Sequence, residues 1–184
     1  MFRPLKFNEP GSLTIRAPRW APACQTQLFH DYYMPVIQSG GIQRFALFTL
    51  TDSAERADNC DNIYHKSIMY LVSNALEERA HIPGVQDGQP LLGMEKFIRE
   101  DPGILGLLDP ARNWVLAPSA DNLPAGSPMA SKATNHSAFN DDPTTRQATL
   151  ARILGVAAAT ASVVTTPSAA AAKTLRKSMV MQAR

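Results

Sequence analysis

The chain has 184 residues, 45% of them hydrophobic and 18% charged, with a formal net charge of +2. That is enough apolar material for one domain with a buried core, and the balance excludes a wholly disordered chain. Residues 1–154 hold 14 Lys and Arg against 16 Asp and Glu, so this body excludes the basic footprint of a nucleic-acid-binding domain.

In chain order, residues 1–17 hold Pro4, Pro10 and Gly11 and read as an irregular lead-in, with a short strand at 13–15. Trp20-Ala-Pro-Ala23 reads as a strand end. From 25 to 38, Leu28, Phe29, Tyr32, Tyr33 and Val36 recur at helical spacing and predict an amphipathic helix. Pro35 interrupts it late, and Ser39-Gly40-Gly41 stops it. Residues 42–50 follow, nearly filled by Phe45, Leu47, Phe48 and Leu50, which suits a strand covered on both faces. An acidic loop then leads to a predicted helix over 62–79, with Tyr64, Ile68, Leu71, Val72, Ala75 and Leu76 as its buried stripe.

Residues 81–90 form a loop, and 94–99 a short helix. Asp101-Pro-Gly and Asp109-Pro mark turns. Residues 114–117 are a short strand. Residues 118–140 are a long loop of the kind that is functional or disordered. The last helix is well signalled: Asp142 as N-cap, Pro143 at its first position, Leu150, Ile153 and Leu154 turned inward, and Gly155 closing it. Residues 156–184 are rich in Ala, Thr and Ser and end in Lys173, Arg176, Lys177 and Arg184 with no acid. They read as a disordered, dispensable tail. Strands alternating with helices predict an α/β layer with a partial parallel sheet of about three strands, and one of its edges stands open.

Chemistry in such a sheet collects where strands end. Asp52 ends the second strand, and His136 lies in the loop 133–139 after the third. Acid then histidine is the second half of a Ser-His-Asp order, in which a buried acid orients the imidazole. Asp58 and Asp61 are weaker rivals for the acid, and His30, His65 and His81 have ordinary surface or partly buried explanations. No Gly-x-Ser-x-Gly elbow occurs. Cys24 follows Trp20-Ala-Pro-Ala and precedes a helix, so it is the alternative nucleophile; Pro22 and Thr26 fit an elbow poorly. Cys24 and Cys60 lack Cys-x-x-Cys spacing and read as free thiols in a reducing cytoplasm. No metal-ligand spacing and no phosphate loop is visible, and no cofactor is expected. No run of about 18 apolar residues predicts a membrane span, and the N-terminus lacks the apolar core of a secretory signal.

The segments Trp20-Ala-Pro-Ala-Cys24, Phe45-Ala-Leu-Phe-Thr-Leu-Thr-Asp-Ser-Ala-Glu55, Tyr64-His-Lys-Ser-Ile-Met-Tyr-Leu-Val-Ser73, Leu91-Leu-Gly-Met94, Trp114-Val-Leu-Ala-Pro118 and His136-Ser-Ala-Phe-Asn-Asp141 together resemble the C-terminal half of bacterial α/β-hydrolase-like proteins. The resemblance covers residues 18–155. It implies strands six to eight of that fold, with Asp52 and His136 in the acid and base positions and the nucleophile-bearing half absent. Ser137 and Asn140 depart from the glycine and the acid expected there. Three functions follow as expectations. One is a truncated hydrolase that acts on an ester or amide only when an N-terminal half completes it. Another is a non-catalytic α/β interaction module or remnant that self-associates or binds through its open edge. The third is a Cys-His-Asp hydrolase using Cys24.

Overall fold

A computed structural model describes residues 16–59, 64–76 and 81–157. Its centre is a three-stranded, all-parallel sheet in the order β1 (Arg16–Trp20), β2 (Arg44–Leu50), β3 (Trp114–Ala117). Pro18 lies beside Ala46, and Phe48 beside Val115. The expected parallel α/β arrangement is present. The first strand lies between the two expected places, 13–15 and 20–23.

Because side chains alternate across a strand, β2 sends Phe45 and Leu47 to one face and Phe48 and Leu50 to the other. All four are buried. On the first face they join Phe29, Met34, Ile98, Ile104 and Trp114. On the second, Phe48 and Leu50 join Val115, Ala117, Phe139 and Ala148. The Trp114 indole donates to Thr49 Oγ1 at 3.0 Å, which satisfies two polar groups inside the first layer.

The first helical stretch is α1 (Thr26–Leu28), a π-turn at Phe29–Tyr33 and α2 (Met34–Gln38). Pro35 has no N–H, and its ring crowds the carbonyl four residues back; a widened turn just before it relieves that conflict. The extra residue also re-aims the helix. Phe29 and Met34 face the core, while Leu28, Tyr32, Tyr33 and Val36, which share the helical spacing, are exposed.

Next come α3 (Asp52–Ala57) and α4 (Ile68–Leu71), the latter continued by a π-turn at Val72–Leu76. Helix α4 starts later than expected because Ser67 caps it, accepting from Tyr70 N at 3.3 Å. It buries Met69, Tyr70 and Ser73; Leu76 is exposed. Helices α5 (Glu95–Glu100) and α6 (Pro102–Leu107) follow. The Asp101-Pro-Gly expected as a turn is instead the start of α6, with Asp101 Oδ1 accepting from Ile104 N at 3.0 Å.

The loop before α7 (Ala138–Asp141) and α8 (Pro143–Leu154) is pinned rather than loose. Ser119 and Ser131 bond across its neck, and Ser131 Oγ lies 2.7 Å from Thr145 Oγ1. Asp142 caps α8 through Thr144 N and Thr145 N, and also accepts from Lys132 N at 2.7 Å. Gly155 ends the helix at φ 73°, a conformation that favours glycine. The packed face of α8 is Thr145, Ala148 and Ala151, not Ile153 and Leu154, which are exposed. Small residues let α8 sit close to β1, where the Trp20 indole donates to Thr149 Oγ1 at 2.9 Å. Residues 1–15 of the expected lead-in and 158–184 of the expected tail lie outside the described residues, as do Cys60 and Asp61, while Arg16 and Ala17 of the lead-in belong to β1.

Both sheet edges are blunted. Ala21 N donates to Phe48 O, and strand alternation then turns the backbone groups of residues 16, 18 and 20 away from β2. Pro18 therefore removes a donor from the outer edge of β1. On the other edge, β3 is only 4 residues long, and its outward Trp114 N is already bonded to Asp109 O at 3.0 Å. Prolines and short strands protect an edge from pairing.

Candidate functional site

The strand-end residues lie beyond β2 and β3, as the sequence places them. Thr51 follows β2 and caps α3, accepting from Ala54 N at 3.2 Å. That sets Asp52 at the first helical position, where a carboxylate suits the helix dipole. Both its oxygens are engaged. Oδ1 accepts from the Tyr70 hydroxyl at 2.5 Å, and Oδ2 from Arg56 Nε at 2.7 Å. Its backbone N–H donates to Glu95 Oε2 at 2.6 Å, and Arg99 holds the other Glu95 oxygen at 2.7 Å. Asp52 thus ties α3 to α4 and α5.

Burial raises the Asp52 pKa, but the bonds from Tyr70 and Arg56 and the charges of Arg56 and Lys96 outweigh it, so the carboxyl is held below its ordinary range. Tyr70 moves the other way: burial, then the Asp52 bond and charge, push its phenol upward. Arg56 and Lys66 lie 5.4 and 4.9 Å from the Tyr70 ring centre. Tyr70 is therefore a fixed neutral donor between cations.

His136 stands apart from this network. Its ring packs edge-on against Phe139 with centroids 6.4 Å apart, and Nδ1 is buried with no hydrogen-bond partner. No hydrogen bond joins it to Asp52. Burial lowers its pKa, and the charge that partly opposes this is Asp58, at the C-terminal cap of α3. The charge of Asp58 thus bears on the imidazole without orienting Nδ1, which has no hydrogen-bond partner.

Glu55 lies in the stretch that the sequence presents as an acidic loop, yet it is turned into the core. It is 1% exposed, and neither carboxyl oxygen has a hydrogen-bond partner. Burial raises its pKa to about 7; the nearby Ser67 hydroxyl opposes the rise, while Asp58 and Asp52 add to it. Its position i+3 from Asp52 puts it on the side of α3 that packs inward, which helical spacing could have revealed.

Cys24 is half-buried beside the first-face cluster, whereas the Phe139 against which His136 packs belongs to the second. Its thiol donates to Gln25 O at 3.4 Å, and burial raises its pKa, away from the thiolate a nucleophile requires. His30 pairs with Asp101 at 2.7 Å, a surface link between the first helical stretch and α6. Among the described residues no cluster of three His, Cys, Asp or Glu is placed to hold a metal ion, and no helix is long and apolar enough to cross a membrane.

No protein-family model matches the chain, and no curated protein or solved structure matches it either.

Proposed function

We propose that this chain is a non-catalytic α/β interaction module, in which the acid and base positions of a hydrolase serve the fold rather than a reaction. The observation behind this reading is the separation of roles at the strand ends. Asp52 spends both oxygens on Tyr70 and Arg56, and His136 Nδ1 has no acid to orient it. An imidazole without that partner lacks a fixed tautomer, which is what the triad acid supplies. The contact surface is the first helical stretch, where Leu28, Tyr32 and Val36 are 45%, 68% and 38% exposed, rather than the edge that Pro18 blunts. Light scattering of the purified chain tests the surface. Mass is expected to rise with concentration and Tyr32→Glu to abolish the rise; association insensitive to Tyr32→Glu, or none, counts against that surface.

A second reading rests on the buried, unpaired His136 Nδ1. A nucleophile-bearing half supplied by another chain would make this the acid–base half of an ester or amide hydrolase. That half must add a strand beside β1, where Pro18 offers no donor. Fluorophosphonate labelling with ester hydrolysis separates the readings: the interaction module stays unlabelled and at the background rate.

A further inference from the structure

The opposite end of the sheet, at the N-terminal ends of β2 and β3, holds a cleft of about 610 Å³. Its apolar lining includes Ile42, Phe45 and Leu107, and its polar lining includes Arg44, Arg112 and Arg152. Arg152 projects from the last turn of α8, and its acceptors among the described residues are all neutral. Its Nε donates to Pro128 O at 2.7 Å, both terminal nitrogens donate to Arg112 O at 3.2 Å, and one of them reaches Met129 Sδ at 2.7 Å. The guanidinium also lies 5.6 Å from the Phe48 ring centre. Among the described residues no carboxylate pairs with it, and burial pulls its pKa down to about 10. Arg44, the first residue of β2, is exposed and likewise makes no ion pair among the described residues. Arg112, whose side chain is 80% exposed, lies 3.9 Å from Asp109.

A guanidinium partly withdrawn from water is normally paired with an anion, and the half-buried Arg152 has only neutral partners among the described residues. The sequence limits where such an anion could come from within the chain. From Gly155 onward there is no acid side chain, and the acids outside the described residues are Glu9, Asp61, Glu77 and Glu78. The stretch beyond Ala157 brings Lys173, Arg176, Lys177 and Arg184, so charge does not favour it as the occupant.

We propose that this cleft binds a small organic anion, a phosphate or carboxylate head on an apolar body, with Arg44 and Arg152 at the head and Ile42, Phe45 and Leu107 against the body. Guanidinium groups suit such heads because their donors are planar and permanently charged. The site shares no residue with the strand-end network, so it stands or falls separately from the reading of Asp52 and His136.

Calorimetry of the full chain with octyl phosphate below its micelle concentration tests this. One saturable site is expected, weakened by added salt. Arg44→Glu, a surface change that leaves the far-ultraviolet circular dichroism unaltered, is expected to weaken binding by at least about tenfold. Arg152→Gln is expected to do the same, and Glu9→Gln to leave affinity unchanged. Octanoate binding in the same site identifies the shared anionic head; phosphate-only binding narrows the head to phosphate. No saturable binding, equal affinity of the Arg44→Glu chain, or inorganic phosphate binding as tightly as octyl phosphate overturns the proposal. So does binding only to phosphatidylglycerol vesicles, which assigns the charge to a surface instead.

Discussion

Glu55 makes stability depend on pH in a direction opposite to that of most carboxylates. Its carboxyl titrates near an ordinary 4.5 when the chain is unfolded and about 7 when folded. Between those values the unfolded chain has released the proton and the folded chain still holds it. The folded state therefore binds more protons, and stability falls as pH rises through that window. At about 1.36 kcal/mol for each pH unit, the gap corresponds to about 3 kcal/mol, lost by the time pH passes 7. His136 runs the other way, since burial lowers its pKa, so the wild-type profile alone mixes two slopes. Glu55→Gln isolates one of them. The amide does not ionise, although it leaves its own polar atoms unpaired, so the diagnostic quantity is the slope rather than the absolute gain. Urea unfolding followed by tryptophan fluorescence from pH 4.5 to 8 measures it. The stability of the variant minus that of the wild type is expected to grow up to pH 7 and then level off. A difference that stays constant across the window would falsify the assignment of a buried, proton-holding Glu55.

Other expectations follow from single contacts. The His136 ring should titrate below 6.5 by NMR; Asp58→Asn should lower it further, because the Asp58 charge raises it, whereas an equal or larger effect of Asp52→Asn would restore Asp52 as the acid. Thr49→Val should cost about 1–3 kcal/mol in urea unfolding, since it orphans the buried Trp114 N–H. Asp142→Ala should cost about 2 kcal/mol, toward the upper end for a helix cap, because the same carboxylate also holds Lys132 N and the Thr145 hydroxyl. A loss under about 0.5 kcal/mol there would show that the loop closes without it.

Much of the layer was legible in the sequence. Strand β2 announces itself through near-continuous apolar residues, and α8 through Asp142, Pro143 and Gly155. The same Asp-Pro signal at Asp101–Pro102 starts α6, but the glycine that follows, Gly103, makes it read as a turn. Strand β1 was misplaced because Arg-Ala-Pro-Arg-Trp has little strand character; its pairing with β2 imposes the conformation. The buried faces of the helices were the least legible. A π-turn shifts the register by one residue, which exchanges Tyr32 and Val36 for Met34. At the strand ends, the positions of Asp52 and His136 could be read, but their partners could not. Tyr70 and Glu95 reach Asp52 from 18 and 43 residues away, and no local pattern encodes such distances.

The most direct measurement of the strand-end reading compares p-nitrophenyl butyrate hydrolysis by the purified chain and by His136→Ala. With Asp52 committed to Tyr70 and Arg56 and His136 lacking an acid partner, both proteins should turn over the ester at the buffer rate. A wild-type rate about 100-fold or more above that of His136→Ala, the scale of a working general base, would contradict the account and return His136 to catalysis.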